Sequence, residues 1–412
     1  MPGEKGSADA ETGGRQMFAR SRISGGVPQN PWMSRTPRSP EPRSNGSRSP
    51  GPGGWLHVST LFRLNIGPML TLPAMIREAI HDLVAGNDLD RGTARATMDD
   101  IMGGEASESQ VAGFLVALRM KGETVEELVG LVESMRDHAT TISAPEGAVD
   151  TCGTGGDGSG TFNISTAAAL VMRGAGAIVA KHGNRASSSA CGSADVLEAL
   201  GVVATLPPAA AEECLRRAGI AFLFAPNFHP SIRHAGVPRR ELGVRTVFNL
   251  IGPLANPAQV RRQSVGVGSP DATEKMARVL SALGHERALV FHGAAGLDEL
   301  STEGPSQVFD VGGGEVRSFQ LDPVELGLPL ARREAIQGGD AQRNAAIVRS
   351  ILDGDEGAPR DVVLLNAAAG LLAAGIVATM PEGLAAGRES INSGGARTAL
   401  RDLVKMSVSL AG

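Results

Sequence analysis

Asp150-Thr-Cys-Gly-Thr-Gly-Gly-Asp-Gly-Ser-Gly-Thr-Phe-Asn-Ile-Ser-Thr166 carries the most information in the chain. Glycines at 153, 155, 156, 158 and 160 let the backbone take positive φ and approach a ligand closely. Consecutive N–H groups in such a turn form a nest for anionic oxygens. A helix starting near Ser165 would add the positive end of its dipole, so a phosphate or pyrophosphate is the natural ligand. The loop is not a Walker A motif, because no Gly-Lys-Ser/Thr follows at the required distance. Gly153, Gly155 and Gly158 satisfy GxGxxG, a weak signal alone. A dinucleotide site wants an acid roughly twenty positions on, where this chain offers Arg173, Lys181 and Arg185. Asp157 would repel a pyrophosphate unless a cation or a ribose hydroxyl meets it.

Working outward, short apolar runs at Ala177–Ala180, Ala221–Phe224 and Ala288–Phe291 alternate with helix-length segments. This texture predicts a mostly parallel sheet flanked by helices, with ligands in the loops at the carboxyl ends of the strands. The cluster Lys181-His-Gly-Asn-Arg-Ala-Ser-Ser-Ser-Ala-Cys-Gly-Ser193 follows one such run and suits a phosphate and ribose pocket. His182 alone says little, and Ser193 or Asp195 could be no more than the cap of the helix at Val196–Leu200. Upstream, from about Leu72 to Ala139, the pattern is helical. Ile76, Ile80, Leu83 and Val84 recur at helix spacing. Ser107–Gln110 and Thr124–Glu127 read as capping boxes, with Gly122 between the two helices. The fold expected is a small all-helical domain over 69–143 and a larger α/β domain over 144–412. A later helical segment around 200–245 is placed against the former.

Residues 1–60 hold 10 Gly, 8 Pro and 9 Ser, too little apolar surface to offset the entropy of ordering. Residues 1–68 are therefore read as a disordered extension, with Met69 a plausible start. The same sixty residues carry a net charge of +4 against -5 for the whole chain, so the remainder is acidic and general nucleic-acid binding is disfavoured. The three cysteines, Cys152, Cys191 and Cys214, form neither a disulfide framework nor a zinc pattern, which suits a reducing compartment. Val362 to Pro381 runs without a charge over a membrane-spanning length, but its Ala and Gly content, Asn366 and Thr379 favour a buried helix of a soluble core. A cytoplasmic protein is expected.

Four long blocks, CGTGGDGSGTFNIST (152–166), KHGNRASSSACGSADVLEALG (181–201), HPSIRHAGVPRRELGVRTVFNLIGPLANP (229–257) and GLDELS (296–301), resemble anthranilate phosphoribosyltransferases. The helical block at 105–128 resembles that family's N-terminal domain. The likeness runs from about residue 72 to the end. It implies transfer of the 5-phosphoribosyl group of phosphoribosyl pyrophosphate (PRPP) to the amine of anthranilate, in tryptophan biosynthesis, by a homodimer joined through the helical domain.

By the same resemblance Gly153, Gly156, Asp157, Thr161, Asn163, Ile164, Ser165 and Thr166 would bind PRPP. Lys181, His182, Gly183, Asn184, Arg185, Ala186, Ser187, Ser188, Ser189 and Ser193 would complete that pocket. Gly153, Asn184 and Arg239 would contact anthranilate, the guanidinium being suited to a carboxylate. Ser165, Asp298 and Glu299 would hold magnesium, with two ions expected per subunit. Taken alone, Asp298-Glu299 looks like surface decoration. Two features raise it: the strand-like run before it and the preference of hard cations for carboxylate oxygen. The family reads Pro-Val-Arg where this chain has Val237-Pro238-Arg239, with Arg239 in register. No block pairs a nucleophile with a base, so catalysis is expected from positioning and electrostatics with no covalent intermediate. Rival readings are a pyrimidine nucleoside phosphorylase, with a related glycine loop, and a non-catalytic nucleic-acid-binding relative.

Overall fold

The computed structural model describes residues 74–186 and 190–412. The expectations for residues 1–68, and those for Ser187, Ser188 and Ser189, lie outside the described residues. Four helices come first: α1 (Ala74–Val84), α2 (Arg91–Gly103), α3 (Glu108–Lys121) and α4 (Val125–Asp137). Both capping boxes form. The Ser107 hydroxyl accepts from Gln110 N, the Thr124 hydroxyl from Glu127 N, and each side chain at the third position accepts from its cap's N–H in return. Gly122 separates α3 from α4 with φ +89°. Ile76 and Leu83 are buried, as their spacing predicts, but Val84 is 74% exposed, because α1 ends there and turns out of the bundle.

The α/β part runs β1 (Val149–Gly153), α5 (Ile164–Gly174), β2 (Val179–Gly183), α6 (Ser193–Ala199), α7 (Pro208–Ala218), β3 (Ile220–Phe224), α8 (Ala225–Phe228), α9 (Arg233–Leu242), α10 (Val247–Ile251) and β4 (Arg262–Gly266). It continues through α11 (Pro270–Ala282), β5 (Arg287–His292), β6 (Ser306–Gly312), β7 (Glu315–Leu321), α12 (Ala341–Asp353), α13 (Ala358–Ala374), α14 (Met380–Asn392) and α15 (Gly395–Leu410). The seven strands order as β3-β2-β1-β4-β5-β6-β7; the first five are parallel and the last two antiparallel. The order reverses between β1 and β4, so the crevice beyond their carboxyl ends is the switch point where such sheets bind ligands.

Side chains of β5 alternate across the sheet. Leu289 and Phe291 join a core with α5, α13 and α15 on one face; Ala288 and Val290 join a second core on the other. That second core is continuous with the buried residues of α1–α4 and takes in Ala235 of α9, Phe248 of α10 and Met276 of α11. The apolar run from Val362 lies in α13, buried within the first core, and Thr379 caps α14. Among the described residues no helix is long and apolar enough to cross a membrane.

Candidate active site

The loop between β1 and α5 takes its shape from its glycines: Gly155, Gly156, Gly158 and Gly160 all have φ between +67° and +72°. β1 and β4 end in the paired glycines Gly153 and Gly266. A Cβ on Gly266 would collide with the Asp298 carbonyl oxygen, and one on Gly153 would collide with Asp298 Oδ2. Two missing side chains therefore let the Leu297–Leu300 segment cross the strand ends and bring its acids to the loop. Asp298 Oδ2 accepts from Gly155 N at 2.6 Å, Asp298 N donates to Asp157 Oδ2 at 3.3 Å, and Glu299 Oε1 accepts from Ser165 N at 3.1 Å.

Three carboxylates thus converge, Glu299 buried and Asp157 and Asp298 half-buried. Burial, with Glu299 and Asp157 beside it, holds the Asp298 carboxyl well above the usual range. Burial pushes Glu299 up to about 7, against the opposing charge of Lys181. Asp157 goes the other way. Burial works to raise it, but the Ser159 N–H and hydroxyl and the Asp298 carboxyl outweigh that and hold it low. Lys181, nearly sequestered at 3% exposure, donates to Thr151 O at 2.5 Å and lies 3.3 Å from Ser165 Oγ.

A cavity of about 300 Å³ joins these groups. Of the residues assigned by the resemblance, Gly153, Gly156, Asp157, Thr161, Asn163, Ile164, Ser165, the stretch from Lys181 to Ala186, Ser193, Asp298 and Glu299 line it. Two do not. Thr166 is buried in the first turn of α5, and its hydroxyl has no partner among the described residues. Arg239 lies on α9, where its guanidinium stacks 4.8 Å over the Phe248 ring and burial lowers its pKa. The segment around Arg239 is helical. Pro238 is the sixth residue of α9, with a buried side chain. The cap of α6 is Gly192, with Asp195 at the third position: its Oδ2 accepts from Gly192 N at 2.8 Å and from Ala186 N at 3.0 Å. Ser193 is thus the first residue of that helix. Arg185 is drawn to the outer side of this loop by Glu198, at 2.6 Å, and Asp195.

His182 stands 5.2 Å from the ring of His229, and burial lowers the two to about 3 and about 4. Cys152 is a buried free thiol raised by burial and by Asp150, which makes it a poor nucleophile. Among the described residues no three His, Cys, Asp or Glu side chains form a metal-binding group by themselves.

Comparison with known proteins agrees with this geometry. Residues 145–397 match a glycosyl transferase family α/β domain, and residues 77–139 match the helical bundle domain of the same family. An anthranilate phosphoribosyltransferase of Roseiflexus sp. (strain RS-1) is 52% identical over 334 residues, covering 81% of this chain and 98% of the relative. The belonging is decided at that identity and coverage. The chain is a member of the anthranilate phosphoribosyltransferase family. The solved family enzyme from Thermus thermophilus is 44% identical with a TM-score of 0.76, covering 80% of this chain and 99% of that one. That from Saccharomyces cerevisiae, in complex with PRPP and Mg, is 27% identical with a TM-score of 0.75, covering 82% and 99%. These likenesses favour the phosphoribosyltransferase over the nucleoside phosphorylase and the nucleic-acid-binding reading.

Sequence reasoning passed over two residues at this family site. Asn249 lines the cavity and caps α10 by accepting from Thr246 N at 3.0 Å. Arg245, between α9 and α10, donates to Gly156 O at 2.8 Å. Both lie inside the block 229–257, but nothing local distinguishes them there; what selects them is the packing of that block on the glycine loop.

Proposed function

We propose that this chain transfers the 5-phosphoribosyl group from PRPP to the amine of anthranilate, with release of pyrophosphate, in tryptophan biosynthesis. The observation that carries this is the nest of glycine N–H groups, Lys181 and three carboxylates, Glu299 buried and Asp157 and Asp298 half-buried, around one cavity at the switch point of the sheet. The nest and the start of α5 suit the diphosphate and phosphate of PRPP. Gly153, Gly156, Asp157, Thr161, Asn163 to Thr166, Lys181 to Ser189 and Ser193 are the residues we assign to it. Gly153, Asn184 and Arg239 are assigned to anthranilate.

Ser165, Asp298 and Glu299 are assigned to magnesium. The fit rests on chemistry: carboxylates held this far above their usual range are short of positive charge, and a hard cation that brings phosphate and water oxygens along needs few protein ligands. When bound, magnesium would supply a Lewis acid for the charge growing on the diphosphate. The chain's own groups do the rest. Backbone amides and Lys181 hold the leaving oxygen, and the walls of the cavity exclude water from C1. The C1–O bond breaks, the N–C1 bond forms on the opposite face, and the amine proton passes to solvent. The amine of anthranilate is neutral near pH 7, so no strong base is needed.

We further assign the helical domain to 69–143 and the catalytic domain to 144–412, and expect a cytoplasmic homodimer. The test follows anthranilate fluorescence with PRPP, with magnesium present or chelated. Loss of signal that needs both confirms the reading. A folded protein that consumes no anthranilate under any of these conditions refutes it.

A further inference from the structure

A segment far along the chain supports the glycine loop from outside. Residues 336–340 leave β7 behind and run beside 159–163 before α12 begins, with Asn344 in the first turn of that helix. Gln337 Nε2 donates to Ser159 O at 2.9 Å, Gly338 N donates to Gly160 O at 2.9 Å, and Phe162 N donates to Ile336 O at 3.3 Å. Thr161 and Gln337 form an isolated antiparallel bridge. A Cβ on Gly338 would stand 2.7 Å from Phe162 N, so only glycine lets the two backbones lie this close.

The segment then closes on a buried amide. Asn344 is 1% exposed. Its Oδ1 accepts from Gly339 N at 2.8 Å, and its Nδ2 donates to Asn163 Oδ1 at 2.9 Å. Asn163 Nδ2 in turn donates to Cys191 O at 3.2 Å. Asn163 and Cys191 both line the cavity and meet there from two segments, one at the start of α5 and one just before α6. A single chain of amide hydrogen bonds therefore ties the far segment to both. Asn344 does not line the cavity. An amide bonded at both its donor and acceptor ends and shut away from water fixes orientation strongly, because losing one partner leaves the other unsatisfied.

We infer that residues 336–339, clasped by Asn344, are a strap that keeps the two segments lining the phosphate pocket in register, and that Asn344 is a positioning residue for PRPP. The KM readout below rests on the proposed phosphoribosyl transfer; the exchange readout does not.

Asn344→Asp keeps the acceptor for Gly339 N and removes the donor to Asn163. Asp340→Ala is the control: Asp340 caps the same helix through Arg343 N at 2.8 Å but does not touch Asn163. Expected for Asn344→Asp is a rise of about tenfold in KM for PRPP, with KM for anthranilate within about twofold. Asp340→Ala should lower Tm and leave KM for PRPP unchanged. Hydrogen exchange at the amides of 159–163 and 190–192 should quicken in Asn344→Asp and not in the control. Should the Asn344 variant fail to fold, Gln337→Ala carries the same two measurements. Matched KM and exchange in variant and control would overturn the strap. If the wild type consumes no anthranilate, the proposed function falls and exchange alone decides the strap.

Discussion

Asp298 is held over the ends of β1 and β4 with Asp157 and Glu299 beside it, an arrangement that suits a cation and disfavours the chain by itself. An acid whose pKa rises on folding helps the native state only below its unfolded value and loses that advantage as pH rises. In magnesium-free protein at pH 8, Asp298→Asn should therefore raise Tm by a few degrees, since a neutral amide still accepts from Gly155 N and donates to Asp157. In the assay it should lower kcat/KM by at least about a hundredfold, having lost a metal ligand. A variant with lower Tm, or with activity intact, would contradict this account of the acids. Little of it was legible in the residues themselves. Two adjacent acids are ordinary, and what makes these unusual is a carbonyl and a carboxylate seated where Gly153 and Gly266 leave room, at strand ends more than a hundred positions apart in sequence.

At the scale of elements, legibility followed the range of the interaction. The capping boxes of α3 and α4 close over three residues, and their letters sufficed. β3 and β5 showed as apolar runs because both their faces are buried. β4 did not, reading Arg-Gln-Ser-Val-Gly, though it lies mid-sheet. Its Gln263 finds partners outside the strand, Nε2 donating to Pro253 O at 2.6 Å and to Asp150 Oδ2 at 3.3 Å. The α9–α10 connection was likewise hidden. It carries Arg245 to Gly156 O, with the guanidinium lying where a Cβ on Gly156 would be 3.1 Å away. α9 packs among the helices of the first domain while the glycine loop belongs to the sheet, so this one contact links the element bearing Arg239 to the phosphate nest. Arg245→Ala should raise KM for PRPP by about fivefold to tenfold, the loss of one charge-assisted hydrogen bond, with Tm changed by no more than a few degrees because the bond is exposed. Steady-state kinetics with each substrate varied in turn would check it; an unchanged KM for PRPP would mean the contact is incidental.

Across the whole molecule, one continuous core joins the helical domain to a face of the sheet, and buried imidazoles stand at its edges. His285 is pinned through Nδ1 to Leu280 O at 3.1 Å. Burial, with Arg136 nearby, lowers it to about 3. Arg136 donates to Leu254 O at 2.9 Å, and burial brings its own pKa down to about 10. His182 and His229 lie near 3 and 4 for want of solvent. None of the three leaves its Nε2 with a partner among the described residues. All three are held neutral in the fold and take up protons once unfolded. Their contribution to stability is therefore complete above about pH 6.5 and declines as pH falls toward their folded values. Each adds up to about 1.4 kcal/mol per pH unit to that decline. Between pH 6.5 and 4.5 this decline is opposed by Asp298 and Glu299, whose raised pKa values let the fold bind protons over the same range. His285→Gln keeps a polar side chain at that position but cannot titrate, so its Tm should fall less than that of the wild type between pH 6.5 and 4.5 while differing far less at pH 8. The measurement is Tm against pH for both proteins in the same buffers. Parallel curves would show that His285 does not drive acid unfolding, and that the carboxylates, not the neutral imidazoles, set the lower limit of stability.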